Sequence, residues 1–455
     1  MSTEARPTRA STPLPPRTIA LYAAGSVGTG GYATLPGLVL TYFLTDNLGV
    51  SALVAAVIVT AAKVWDVVID PVIGAASDRQ LARTGSRRGL MVAGALALPV
   101  FFALTFAVPP SWGPVAGAVG VLLAFVATAT AFSLFQVPYV ALPAELTSGY
   151  DARTRLLGWR VVVLTSGILL FGAGGPALRS IGDDPVVGYL VMGVAAGAAI
   201  GVGMLVATRS APASPREVTR RGANPPGLRA QYAAGLRVLR DSRPFRALLA
   251  TFLLQALATG AMLAGAQYVA TWVLRSEDAV TLVFLALVGP ALVAAPAWTA
   301  VARRIGKERA FTLASVLFAA AAASLTAALW SPGGWMYVSV AVAGVAYAGL
   351  QSLPMAMLPD VISHDGGERA GAFTGVWTAG ETVGFALGAA VVSLTLAATG
   401  YVSTVAGVTA VQPDAAITGI VLAFSVVPAA LIALSLLPLS RYTLRRGDID
   451  RAPLA

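Results

Sequence analysis

Apolar stretches of about twenty residues recur along the chain, near 18–43, 51–74, 90–108, 114–141, 157–178 and 186–208. Six more follow near 246–274, 279–301, 310–330, 335–358, 371–398 and 415–438. As helices, each is long enough to cross the hydrocarbon core of a bilayer. A polar stretch, 209–245, separates the two sets of six. The pattern predicts an all-α polytopic membrane protein with twelve transmembrane helices in two six-helix bundles, 18–208 and 246–438. The linker 209–245 and the tails 1–17 and 439–455 are expected to be cytoplasmic. The first tail, "MSTEARPTRASTPLPPRT", is polar and proline-rich and lacks an apolar core, so it is expected to be disordered and not a cleaved signal.

Composition agrees with this pattern. Only 11% of the 455 residues are charged and mean hydropathy is +0.77, whereas soluble proteins carry about 25% charge. The net charge of +10 would suggest nucleic acid in a soluble chain, but its placement argues otherwise. Of the 31 lysines and arginines, only Arg179 and Arg275 fall on the outer side and Lys63 within a span. The rest lie on the side of the two tails, including Arg79, Arg83, Arg87, Arg88 and the arginines of the linker. That asymmetry places both termini in the cytoplasm of a cell membrane, and the basic charge serves topology and anionic lipid. No nucleic-acid partner is expected. The chain has no cysteine and a single histidine, His364 in "ISHDGG", which excludes disulfides, thiolate sites and histidine metal clusters.

The two halves echo one another. "GAASDRQLARTGSRRGL" (74–90) follows the second span and "PAWTAVARRIGKERAF" (296–311) the eighth, each a short basic turn at the same place in its half. Such a six-plus-six repeat points to transporters that rock two bundles about a central site.

The second span, "AAKVWDVVIDPVIGAASDR" (61–79), carries Lys63, Asp66 and Asp70 in an otherwise apolar setting. At about 100° per residue the three fall within about 60° of one another on a helix, with Asp66 and Asp70 one turn apart. Each charge costs roughly 2.5–3.5 kcal/mol at mid-membrane, so the stripe must face the bundle interior. Two carboxylates beside one ammonium leave a deficit of one positive charge, which a cation or a proton relieves. Pro71 frees a carbonyl one turn earlier. The plain alternative is a lysine–aspartate pair that ties two helices together.

"KVWDVVIDPVIGAASDR" resembles the second-span signature of the glycoside–pentoside–hexuronide:cation symporters, the melibiose-permease-like branch of the major facilitator superfamily. "VPYVALPAELTSGYDARTRLLGWR" (137–160), "ARRIGKERAF" (302–311) and "LPDVISHDGGERAGAFTGVWTAGETVGFALG" (358–388) are similar to its later landmarks, in order across both halves. The resemblance implies a major facilitator fold and cation-coupled transport of a sugar, glycoside or related solute by alternating access, with no enzymatic activity and no cofactor. It also implies that Asp66 and Asp70 hold the coupling cation, with Lys63 beside them and Ser133 completing the shell. If sodium is that cation, Asp66 and Asp70 are its metal ligands. Asp78, Arg79, Arg87 and Arg88 match the superfamily's inner gate, and Arg160 a basic residue near the sugar pocket.

The departures bear on substrate. Acidic positions that hold sugar hydroxyls in melibiose-type carriers are here Gly30 and Gln136, while Gln351 and Glu381 stand near an aromatic and a lysine position. A site of Gln136, Tyr139, Arg160, Gln351, Trp377 and Glu381 suits a sugar, but also an amphipathic molecule such as a lysolipid, which eukaryotic relatives carry. A proton-driven exporter and a non-transporting membrane scaffold are further alternatives. Ile69 stands where sodium-using relatives often have an amide. Sodium needs several oxygens and a proton needs one carboxylate, so H+ is favoured over Na+. The expected partners are a small solute and the bilayer, with the chain acting as a monomer. Gln255 and Gln267 either line the cavity or bond helix to helix, Trp65, Trp272 and Trp298 read as packing or interfacial anchors, and Glu145 as the partner of a loop arginine.

Overall fold

The computed structural model describes residues 14–147, 150–181, 184–212, 228–365, 370–408 and 410–444. Residues 1–13 and 445–455 of the tails and 213–227 of the linker lie outside the described residues. The helices are α1 (Pro16–Tyr42), α2 (Ala52–Thr84), α3 (Arg88–Phe106), α4 (Gly113–Leu146), α5 (Tyr150–Arg179) and α6 (Pro185–Thr208). After them come α7 (Leu228–Asp241), α8 (Arg243–Tyr268), α9 (Ala279–Ile305), α10 (Lys307–Ser324), α11 (Trp335–His364), α12 (Ala370–Ala398), α13 (Asp414–Phe424) and α14 (Val426–Ser440).

Eleven helical segments have both the length and the hydropathy to cross a membrane, with α13 and α14 forming one of them, Asp414–Ser440. That segment breaks at Ser425, because Pro428 has no N–H to donate back to Phe424. The first span is α1. Its 27 residues give about 40 Å of helix, but Gly25, Gly28, Gly30, Gly31 and Gly37 dilute its apolar character. It packs inside the protein, against α5, α6 and α8. Many side chains that face outward elsewhere are large and apolar, among them Val57, Val115, Leu123 and Val293. A surface of that kind is stable only against lipid.

In the first half α1 packs on α5 and α6, α3 on α4 and α6, and α2 on α4. In the second half α8 packs on α12 and α14, α9 and α10 on α11, and α10 on α14. The halves meet along α2 with α12, α5 with α9 and α1 with α8. Within lipid the hydrophobic effect does not drive helices together, so close approach through small residues does. At the α8–α12 seam a Cβ on Gly260 would sit 2.6 Å from the Phe385 carbonyl oxygen, and one on Gly388 2.5 Å from the Ala261 amide nitrogen. The two glycines let the backbones touch from both sides.

The repeat seen in sequence ends each second helix of a half on a glycine. Gly85 ends α2 with φ of 71° and donates its N–H to Leu81 at 2.8 Å. Gly306 ends α9 with φ of 93° and donates to Ala302 at 3.0 Å. Both have positive φ, which glycine adopts without strain, but ψ is 9° at Gly85 and 152° at Gly306, so each half stops its second helix on a glycine and turns in its own way before the third. The linker contributes α7, an amphipathic helix lying against α12, whose C-terminal carbonyls of Leu239 and Arg240 accept hydrogen bonds from Arg246.

Gly388→Leu should separate α8 from α12 and destabilise the second bundle by about 1–3 kcal/mol, the usual cost of overpacking. Thermal unfolding in detergent measures this, with Gly375→Leu as the control because a Cβ there meets nothing within 4 Å.

Candidate functional site

The charged stripe of α2 turns toward α1 and α4. Lys63 Nζ donates to Asp66 Oδ2 at 3.1 Å and lies 5.1 Å from the centre of the Tyr32 ring of α1. Tyr32 in turn stacks on Phe132 of α4, centroids 4.1 Å apart, which fixes the ring beneath the ammonium. Asp66 is buried, and among the described residues its Oδ1 has no hydrogen-bond partner. The Tyr32 hydroxyl is likewise buried and unpartnered among them. Asp70, one turn on, faces the Ser133 hydroxyl of α4. It remains exposed, unlike Asp66.

The arrangement divides the charge unequally. Lys63 pairs with Asp66, so among the described residues the second carboxylate, Asp70, has no ion-pair partner of its own. A buried acceptor without a donor costs about 1–3 kcal/mol, and Asp66 Oδ1 is such an acceptor. A proton on Asp70, or a cation shared by Asp70, Asp66 Oδ1 and Ser133, relieves both defects. Lys63, Asp66, Asp70 and Ser133 are thus brought together, and Tyr32 joins them. No spacing in the sequence connects position 32 with position 63; only the packing of α1 against α2 and α4 does.

A second polar group lies where α1, α4 and α5 meet. Arg160 of α5 stands 5.5 Å from the centre of the Tyr139 ring, with Nε buried and unpartnered among the described residues. Tyr139 donates to the Tyr22 carbonyl at 2.8 Å, shares a 3.0 Å bond with Ser26, and stacks on Tyr22 at 4.6 Å. Gln136 Oε1 accepts from Thr29 at 2.9 Å. Gly30 is not part of this wall. A Cβ there would meet the Leu164 carbonyl at 2.7 Å, so the position serves the contact of α1 with α5 and leaves no room for a carboxylate.

The other half presents Glu381 of α12, near Tyr347 of α11, with Gln351 one turn on from that tyrosine. Trp377 stacks on Phe252 at 4.4 Å and is fully buried, so it contributes packing to α12 more than an open surface. Gln255 donates to Ser315 and Ser435, at 2.9 and 3.1 Å, and so bonds helix to helix; Gln267 donates to Thr271 of its own segment. Trp65 donates to Thr130 and Trp298 to the Val345 carbonyl, both as packing anchors.

At the end bearing the basic turns, hereafter the inner end, Arg87 is the hub. It donates to Glu145 at 2.5 Å, Ser77 at 2.6 Å and Asp78 at 2.6 Å, joining α2, the α2–α3 turn and α4. Among the described residues Arg79 donates to the Ala75 carbonyl of its own helix alone, and Arg88 opens α3 beside Arg209. In the second half Lys307 takes the equivalent place, bonded to Asp360 at 2.5 Å on the rim of a cavity of about 310 Å3. That cavity, lined also by Arg303, Glu308 and Tyr442, lies apart from the stripe of α2.

Two six-helix halves, a charged stripe at mid-span and matching basic turns define a membrane transporter and not an enzyme. A family model described as MFS/sugar transport protein matches residues 21–446. The chain belongs to that family, within the glycoside–pentoside–hexuronide:cation symporters of the major facilitator superfamily. It is 26% identical to the "Uncharacterized symporter sll1374" of Synechocystis sp., over 90% of each chain. It is 25% identical to the "Glucuronide carrier protein homolog" of Escherichia coli, over 92% of this chain and 90% of that one. Among solved structures it shares the fold of a D-xylose–proton symporter, with a TM-score of 0.70, 14% identity and coverage of 94% and 98%. The nucleoside transporter NupG gives 0.64, at 12% identity over 94% and 98%.

Arg87→Ala should strand two carboxylates at the inner end and cost up to about 3 kcal/mol, the low end for a broken buried pair because Asp78 is partly in water. Arg79→Ala should stay within about 0.5 kcal/mol. Chemical unfolding of the two variants side by side measures the contrast.

Proposed function

We propose that the chain is a symporter in which a cation bound at Asp70, with Asp66 and Ser133, drives a sugar or glycoside through the space between the bundles. The observation that carries this reading is the unequal charge on α2. One ammonium serves two carboxylates, and the carboxylate left over is the one open to solvent. The names of the relatives support a sugar-type solute. The proton is the preferred coupling ion, since one carboxylate and one hydroxyl suffice for it and Ile69 offers no further oxygen.

In this reading Arg160, with its free buried Nε, and Gln136 recognise the solute from the first half, and Gln351 and Glu381 from the second. Closing the bundles brings the two sets onto one solute. Binding of the cation raises solute affinity by some factor, and the solute raises cation affinity by the same factor. Both tails and the inner end face the cytoplasm, and one polypeptide is the working unit.

An amphipathic solute is the second reading. It is favoured by Gly30, whose place against α5 denies the site one of the acidic acceptors that a sugar would use.

Reconstituted vesicles test the proposal with a panel of glycosides, hexuronides and lysolipids under an imposed pH or sodium gradient. Accumulation should follow the pH gradient, and Asp70→Asn should abolish it, while exchange of labelled for unlabelled solute continues. Asp66→Asn should lower accumulation at least tenfold, because Lys63 then loses its partner. Accumulation that survives both substitutions rejects the assigned cation site, and accumulation that follows sodium alone rejects the proton.

A further inference from the structure

The opposite, outer ends of the bundles meet in another charged cluster that the coupling site does not use. Beyond α1 the chain makes a π-helical turn, Phe43–Asn47, and then pairs with the α12–α13 loop. Thr404 and Ala406 donate their N–H groups to Thr45 and Asn47, at 2.9 and 3.0 Å, around an antiparallel bridge between Leu48 and Val405. Inside this closure lies Asp46. Its Oδ1 accepts from the Tyr401 hydroxyl and its Oδ2 from Thr45 Oγ1, both at 2.5 Å. Tyr401 is held by Trp272 Nε1 at 2.8 Å, and Thr45 Oγ1 is 2.7 Å from the Tyr268 hydroxyl. Asp46 belongs to the first half and Tyr401, Trp272 and Tyr268 to the second, so this carboxyl is a knot between the two.

The charged and titratable groups around it come from four directions. Arg179, at the end of α5, is buried between the rings of Tyr42 and Tyr189, 5.6 and 5.4 Å from their centres. Its guanidinium donates to Tyr189 and to Glu277, both at 3.1 Å. Tyr268 and Tyr401 complete the ring. One fixed cation therefore faces two carboxylates, and Glu277 has it. Among the described residues no cation bonds Asp46, whose hydrogen bonds come from hydroxyl groups, and a hydroxyl can accept from a protonated carboxyl as well as donate to an ionised one.

We propose that Asp46 is a second proton-binding site, and that its protonated form holds the outer face of the carrier shut. The inference rests on the transporter reading, since it requires the outer face to open. Burial pushes the Asp46 carboxyl up to about 7, with Glu277 adding to the effect and the Thr45 and Tyr401 hydrogen bonds and Arg179 opposing it. When the bundles part, Asp46 returns to water and to an ordinary value of about 3.9. Between these values the closed form holds a proton that the open form releases. Acid therefore stabilises closure, and that stabilisation is lost as pH rises through about 7. Protons outside thus favour the step that follows loading, the direction that a proton-driven importer uses.

The chain has no cysteine, so paired spin labels can be introduced cleanly. Ser180→Cys with Val411→Cys spans the outer face, both positions being exposed and in opposite halves. Arg83→Cys with Ser363→Cys spans the inner end. Label distances are read in lipid nanodiscs from about pH 5 to about pH 9. With Asp46 intact, the closed-to-open ratio of the outer pair should fall about tenfold per pH unit up to about 7 and then level off. Asp46→Asn, neutral at every pH, should keep the short outer distance throughout, while Asp70→Asn should leave the outer response in place. An outer pair indifferent to pH with Asp46 intact overturns the proposal, as does an Asp46→Asn protein that responds like its parent. If the inner pair moves while the outer pair ignores pH, the latch is wrong and alternating access stands. If neither pair ever moves, both fall.

Discussion

Charge buried in a protein that is itself surrounded by hydrocarbon must be neutralised by a neighbouring group, and this chain meets the requirement three times with the same proportion. Arg87 faces Asp78 and Glu145, Lys63 faces Asp66 and Asp70, and Arg179 faces Glu277 and Asp46. In each, one cation stands against two carboxylates. What differs is the fate of the carboxylate in excess. At the inner end Asp78 is nearly half exposed, at 44%, and water dissipates its charge, so the cluster is a static tie. At the outer end Asp46 is held among protein groups, and at mid-span Asp70 stands open to solvent one turn from the buried Asp66. Position in the fold thus decides whether the motif is a water-screened brace or leaves a carboxylate without a cation of its own.

That use of charge depends on a scaffold that brings helices close without large side chains. Gly260 and Gly388 allow α8 and α12 to touch, and Gly30 does the same for α1 and α5. The seams where backbone meets backbone at a glycine lie within each half. Between the halves, the outer ends are joined instead by hydrogen bonds, an ion pair and one bridge of backbone. Contacts of that kind exchange with water at modest cost, whereas interdigitated backbones do not. The division suits two rigid bundles that part from each other without unfolding.

Much of this was legible along the chain. Apolar runs of span length report the helices directly, because nothing else is stable in lipid with so few charges. The echo between 74–90 and 296–311 turned out to rest on two glycine stops, Gly85 and Gly306, a local property that sequence carries well. The first helix was visible as a span although its glycines lower its hydropathy. The pairing of Glu145 with a loop arginine could be anticipated from charge and position, but not that Arg87, rather than Arg79 or Arg88, would take it. Nothing along the sequence marks Tyr32, Tyr347 or Asp46. Each gains its role from a partner tens to hundreds of residues away.

The sequence by itself determined that the chain crosses a membrane in two matched halves, which side carries its basic turns, and that α2 bears one charge too many for its surroundings. Periodicity, composition and one-turn spacing are local quantities, and hydrocarbon punishes any departure from them. Only the tertiary structure decided which carboxylate Lys63 neutralises, that Gly30 is a packing contact, that Gln255 joins helices, and that Asp46 is shared between the halves. Those outcomes depend on distances of a few ångströms between helices remote in sequence, set by how side chains from both fit together and invisible in either segment alone.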